Sequence, residues 1–131
     1  MRTIEELELT LPNGFHDARL LRLDIDYCAR QATITLDVVV NEERKPEFRS
    51  GVLRITGVLF LVLDPPGPGS TLASSKPSRI DTGQGQPNTS PLTLPPVPSG
   101  HFLQWFFVVD WNSFIRVCAE DASFEWSKGV P

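Results

Sequence analysis

The most constraining feature of this chain is a double alternation between residues 21 and 40. Leu21, Leu23, Ile25 and Tyr27 alternate with Arg22, Asp24 and Asp26, and after Cys28 to Gln31 the residues Ala32, Ile34, Leu36, Val38 and Val40 alternate with Thr33, Thr35 and Asp37. A period of two is the signature of a pleated strand with one buried face. A four-residue break between two such runs predicts an antiparallel hairpin. The apolar set of each run is expected to face the core, with the Thr and Asp side chains outside. Such a hairpin is unstable alone, so its apolar face needs further strands or another layer to cover it.

The remaining strands follow from the same pattern. The stretch His101 to Trp126 holds all three tryptophans and five of the eight phenylalanines, which makes it the expected packing centre. Leu103, Trp105, Phe107, Val109 and Trp111 share one face there, and Phe102, Phe106 and Val108 the other. Asp110 to Ser113 is expected to turn, Phe114 to Cys118 to return antiparallel, and Ala122, Phe124 and Trp126 to form a last strand. Between Gly51 and Leu63 an alternation gives way, past Gly57, to a run apolar on both faces. The glycine is the expected site of a bulge or bend, and the run needs cover on both sides. At the start, Leu7, Leu9 and Leu11 have strand spacing. Thr3 and Glu6 could cap a helix, but the leucine spacing favours a strand. The predicted fold is mostly β, a twisted antiparallel meander sheet curling into a sandwich or open barrel.

Residues 64 to 100 are of another kind. They hold nine of the twelve prolines, five of the nine glycines and no aromatic residue, so they cannot form a core of their own. One long Pro/Gly-rich loop is expected there, inserted in a single domain spanning 1 to 131, with a short edge strand over Ser78 to Thr82. Pro95 to Pro98 has P-x-x-P spacing, a match that arises easily in proline-rich sequence. The segment Asn41 to Pro46 is expected to be an exposed connection.

A formal net charge of −4 disfavours a phosphate backbone or an anionic membrane as partner. The start lacks the basic, then apolar pattern of a secretory leader, which points to the cytosol. There Cys28 and Cys118 are expected to be free thiols. Their spacing is not that of a zinc site, and no phosphate-cradling glycine loop or dinucleotide fingerprint is present, so no cofactor is expected.

Two sets of residues qualify as candidate sites. His16 and Asp17 form the only His-Asp dipeptide, and with Asp110, Glu120 and Asp121 they could supply an acid and base pair. The same two residues could equally satisfy a turn, with Asp17 accepting backbone N–H bonds. Ser113 lacks a nucleophile-elbow context, and Cys118 is expected to be buried and inert. The second set is Trp105, Phe106, Trp111 and Trp126, candidates for binding a partner if they are not core.

GFHDA (Gly14 to Ala18), DVVV (Asp37 to Val40), DWNSF (Asp110 to Phe114) and FEW (Phe124 to Trp126) together resemble a group of small uncharacterised bacterial proteins. The order of the first strands and the run Ile55 to Leu61 are similar to the immunity protein 50 family of toxin-neutralising proteins, over about half the chain. That resemblance implies a non-enzymatic acidic domain that occupies another protein by surface complementarity. The leading expectation is therefore a protein-interaction domain with a protein partner or a second copy as homodimer. The alternative is a small-ligand binder or hydrolase around His16, Asp17, Asp110 and Glu120.

Overall fold

A computed structural model describes residues 2–41, 47–70, 77–84 and 93–127. The expected connection at 42–46 and the last residues, 128–131, lie outside these, as do 71–76 and 85–92 of the Pro/Gly-rich stretch. One helix, α1 (Ile4–Glu8), precedes eight strands: β1 (Ala18–Asp26), β2 (Gln31–Asn41), β3 (Glu47–Thr56), β4 (Phe60–Leu63), β5 (Ser78–Gln84), β6 (Phe102–Val108), β7 (Ser113–Ala119) and β8 (Asp121–Trp126). All pairings are antiparallel, in one sheet of order β4-β7-β6-β5-β1-β2-β3-β8 that does not close into a barrel.

Two meanders, β1-β2-β3 and β5-β6-β7, make up most of the sheet, joined where β1 meets β5. Their free flanks are drawn together by two bent segments. β3 runs into β4 through Gly57, whose φ of +63° a side chain would resist, and β7 runs into β8 through Glu120. Glu120 N–H donates to Thr56 O (3.2 Å) and Leu59 N–H to Cys118 O (2.8 Å), so pairing continues through the bend.

The hairpin forms as its alternation requires. Ala32, Ile34, Leu36 and Val38 are all buried in the core, and Asp24 pairs with Thr33 on the outside. A one-residue bulge between Leu20 and Arg22 changes the first strand, however. Leu20 and Leu23 pack on the core, while Leu21, Ile25 and Tyr27, expected inside, are exposed. The extra residue, Leu21, changes the inward set from Ala18 and Leu20 before it to Leu23 after it, whereas Ile25, opposite Ala32, and Tyr27, past the end of β1, are exposed at the hairpin tip.

The N-terminal strand expected from Leu7, Leu9 and Leu11 is instead α1. Thr3 Oγ1 accepts the N–H of Glu6 (3.1 Å), and Ile4 and Leu7, three apart, turn one helical face to the core while Leu9 is left exposed. The helix lies against β8, and its last residue reaches β5: the Glu8 carboxylate accepts the Phe15 N–H and the Thr82 hydroxyl, both at 3.0 Å. Phe15 is thereby delivered to the core, fully buried against Phe124.

The short strand expected over Ser78 to Thr82 within the Pro/Gly-rich stretch forms as β5, but it is an interior strand between β6 and β1 rather than an edge. In β6 the inward residues are Phe102, Gln104, Phe106 and Val108. The core is thus aliphatic with three phenylalanines, and the tryptophans lie outside it or at its rim. Inside, the Gln104 amide Nε2 donates to Gly83 O (2.7 Å) and Trp105 O (3.1 Å), while its Oε1 is buried with no partner among the described residues.

Candidate functional site

The outer surface divides into two halves of opposite character. Over β1, β2, β3 and β8 it carries Arg22 with Asp24 (2.8 Å), Arg54 with Glu125 (3.0 Å) and Ser50 bonded to Asp37 (2.5 Å). Exposed pairs of this kind are worth under about 1 kcal/mol each and make an ordinary solvated face. Over β6, β7 and β4 the outward residues are Leu103, Trp105, Phe107, Phe114, Cys118, Phe60 and Val62, paired side by side across the strands. Trp105 meets Phe114 edge to face at 5.4 Å, and Phe107 meets it at 5.1 Å. Gly83 of β5 lets the Trp105 indole lie across it, since a Cβ there would occupy the ring's place.

Within this apolar half lies one charged residue, Arg116, fully buried and paired with Asp64 at the end of β4. Its sequence neighbours Ile115 and Val117 point into the core.

The two ends of the sheet also differ. At β8 the edge is covered: Ala122 N–H donates to Arg2 O (3.0 Å), Arg2 N–H donates to Asp121 Oδ1 (2.6 Å), and α1 follows. At the other end β7 is the one described strand that pairs with β4. Asp64 N–H donates to Phe114 O (3.0 Å), in register with the Val62–Arg116 and Phe60–Cys118 pairs. By the alternation of an antiparallel ladder, the N–H and C=O groups of Leu61 and Leu63 then point away from β7, and no described strand pairs with them.

That edge borders a cleft of about 360 Å³ between β4 and the tip of the β1–β2 hairpin. Ile25, Tyr27, Val58, Leu59, Phe60 and Leu61 give it apolar walls, with Asp26 and Arg30 at its polar side. Arg30 holds the tip in place, its backbone O accepting Val58 N–H (2.9 Å) and its Nε donating to Val58 O (3.3 Å). The exposed Tyr27 and Leu59 form the rim.

The structure does not assemble the acid and base candidates into one place. His16 Nδ1 faces Asp81 at 3.5 Å and Asp17 faces Arg79 at 3.6 Å, all four exposed. Asp110 lies in the 3-10 turn Val109–Trp111, its backbone N–H bonded to Ser78 Oγ (3.0 Å), three positions before Asp81 on β5. Glu120 faces a different histidine, His101, at 3.6 Å, and Asp121 binds the Arg2 N–H. His16 and Asp17 instead complete a turn: His16 N–H donates to Asn13 O, and Asp17, with φ of +58°, donates its N–H to Ile80 O. Among the described residues no group of three His, Cys, Asp or Glu side chains is placed to hold a metal ion.

The aromatic candidates separate as well. Phe106 is core, 1% exposed, because the register puts even-numbered residues of β6 inside. Trp105 lies half-buried on the outer apolar face, and Trp111 stands exposed at the 3-10 turn Val109–Trp111. Trp126 lies at the inner rim beneath Arg49, whose Cζ is 4.7 Å from its ring. Sequence reasoning missed the β4 edge, the cleft beside it and the Arg116–Asp64 pair. A lone arginine between two core residues was the available signal for the last.

Both thiols are free, Cys28 exposed and Cys118 buried, and burial raises the pKa of Cys118. Its thiol therefore stays protonated and inert at neutral pH. Alkylation at pH 8 is expected to modify Cys28 rapidly and Cys118 only on unfolding. Mass spectrometry showing equal rates in the folded protein would contradict its placement.

No family model, no curated protein and no solved structure matches this chain. No helix among the described residues is long and apolar enough to cross a membrane.

Proposed function

We propose that the protein is a non-enzymatic interaction domain that accepts an extended segment of a partner protein along β4. The carrying observation is the asymmetry of the sheet: β8 is covered by Arg2 and α1, whereas no described strand pairs with the backbone groups of Leu61 and Leu63 on β4, beside an apolar cleft. An added strand would bond to those groups, and the cleft would take one of its apolar side chains. A long open edge is ordinarily an aggregation hazard, and here it is restricted to four residues and ended by Pro65 and Pro66. The partner strand belongs to another protein, as in the immunity-like reading, or to a second copy paired β4 to β4 as a homodimer. The acidic net charge and the free thiols support a cytosolic protein partner over nucleic acid or a membrane surface. The hydrolase alternative has less support, since His16 faces Asp81 while Glu120 faces His101.

Leu63→Pro tests the reading. It removes an outward N–H without touching the bonds to β7, so the fold is expected to persist while partner binding falls at least about tenfold, the equivalent of 1.4 kcal/mol. The measurement is affinity for apolar peptides selected from a displayed library, with amide shifts of residues 61 and 63 followed by NMR. Selected peptides that bind elsewhere, or that tolerate Leu63→Pro, would reject it.

A further inference from the structure

Arg116 uses only part of its hydrogen-bonding capacity. β7 carries it to the outer face, opposite Val62 of β4 and Trp105 of β6, where it is 0% exposed. Nη1 donates to Asp64, and the Phe114 ring lies 5.4 Å from Cζ. Nε and Nη2 are buried with no hydrogen-bond partner among the described residues. These two nitrogens bear the parallel N–H bonds along one edge of the guanidinium plane, the edge that receives both oxygens of a carboxylate. Buried donors left unmade carry their full desolvation penalty, which a structural ion pair would avoid by turning this edge to its own Asp. Asp64 occupies the other end instead and leaves this buried edge without a partner among the described residues.

We propose that the Nε and Nη2 edge of Arg116, whose guanidinium lies near the Phe114 ring and across the ladder from Trp105, is a binding site for a carboxylate carried on an apolar or aromatic ligand. A carboxylate matches the edge in plane and spacing. Because Asp64 already offsets the arginine, a monoanion adds one uncompensated charge where a phosphate dianion would add two. These aromatic residues suit an apolar body behind the carboxylate. The carboxylate comes either from a small free acid or from a protein segment. The site uses neither the β4 edge nor the cleft, so it stands or falls apart from the proposed strand partner, and Leu63→Pro should leave it intact.

The test follows the Arg116 Nε–H resonance in the ¹⁵N-labelled full chain, assigned by its absence in Arg116→Lys, or by its displacement in Asp64→Asn should the lysine variant not fold. Sodium benzoate should shift it saturably, while sodium chloride at equal ionic strength and neutral benzamide should not. Asp64→Asn keeps an acceptor for Nη1 and removes the opposing charge, so benzoate should bind at least about tenfold more tightly. A peptide with a free C-terminal carboxylate, compared with its amidated form, separates the sources: a shift with the free-acid peptide but not with benzoate assigns the site to a protein segment, and the reverse assigns it to a small acid. No shift with either carboxylate, an equal response to chloride or benzamide, or no tightening in Asp64→Asn of the carboxylate that binds would overturn the site.

Discussion

Replacing Phe15 by alanine is expected to lower the unfolding free energy by about 3 to 5 kcal/mol, the range for deleting a fully buried phenylalanine. The ring is 0% exposed, tilted against Phe124 at 5.6 Å, and belongs to no strand. It enters the core only because the Glu8 carboxylate holds its N–H and Gly14 beside it adopts φ of +54°. Its removal leaves a cavity where α1, the turn and β8 converge, and a chain fixed by Glu8 and Thr82 cannot collapse to fill it. Urea unfolding measures the loss. A value below about 1 kcal/mol would mean that the ring does not reach the core.

Asp64→Leu is expected to cost a similar amount, about 3 to 5 kcal/mol, for a different reason. Arg116 is fully buried, and the Asp64 carboxylate is the one anion paired with it among the described residues. Without it a guanidinium remains in an apolar surround of Phe114, Trp105 and Val62 with no opposite charge. The double variant Asp64→Leu/Arg116→Met should recover most of the loss, because apolar side chains of similar volume replace a buried pair with little penalty. A double-mutant cycle in denaturant gives the coupling. Additive losses would show that the two residues stabilise the fold independently.

Much of this fold is legible in the alternations. The hairpin of β1 and β2, the return of β6 into β7, the turn before Ser113 and the bend at Gly57 follow from period, turn chemistry and glycine placement. What is not legible depends on pairing between distant segments. Leu103, Trp105 and Phe107 alternate with Phe102, Phe106 and Val108, and nothing local says which set faces inward. The pairing of β6 with β5 and β7 decides it and sends the tryptophan outside. Residues 4 to 11 satisfy strand and helix patterns at once, and the Thr3 cap with the Ile4 and Leu7 contacts settles the competition. The bulge at Leu21 leaves no local mark. Among candidate sites, His16 and Asp17 were conspicuous by type, yet both complete a turn. The outer edge of β4 is invisible until every other strand has found its neighbours.

The arrangement of the two meanders also bears on how the chain reaches this state. Pairings inside β1-β2-β3 and inside β5-β6-β7 join near neighbours in sequence, whereas β1–β5, β3–β8 and β4–β7 span about 50 residues or more. Each half is expected to form first, with the joining of the two as the slower step. Until then both halves expose raw strand edges and an uncovered apolar face, so the half-assembled chain, rather than the finished one, is where self-association during synthesis begins.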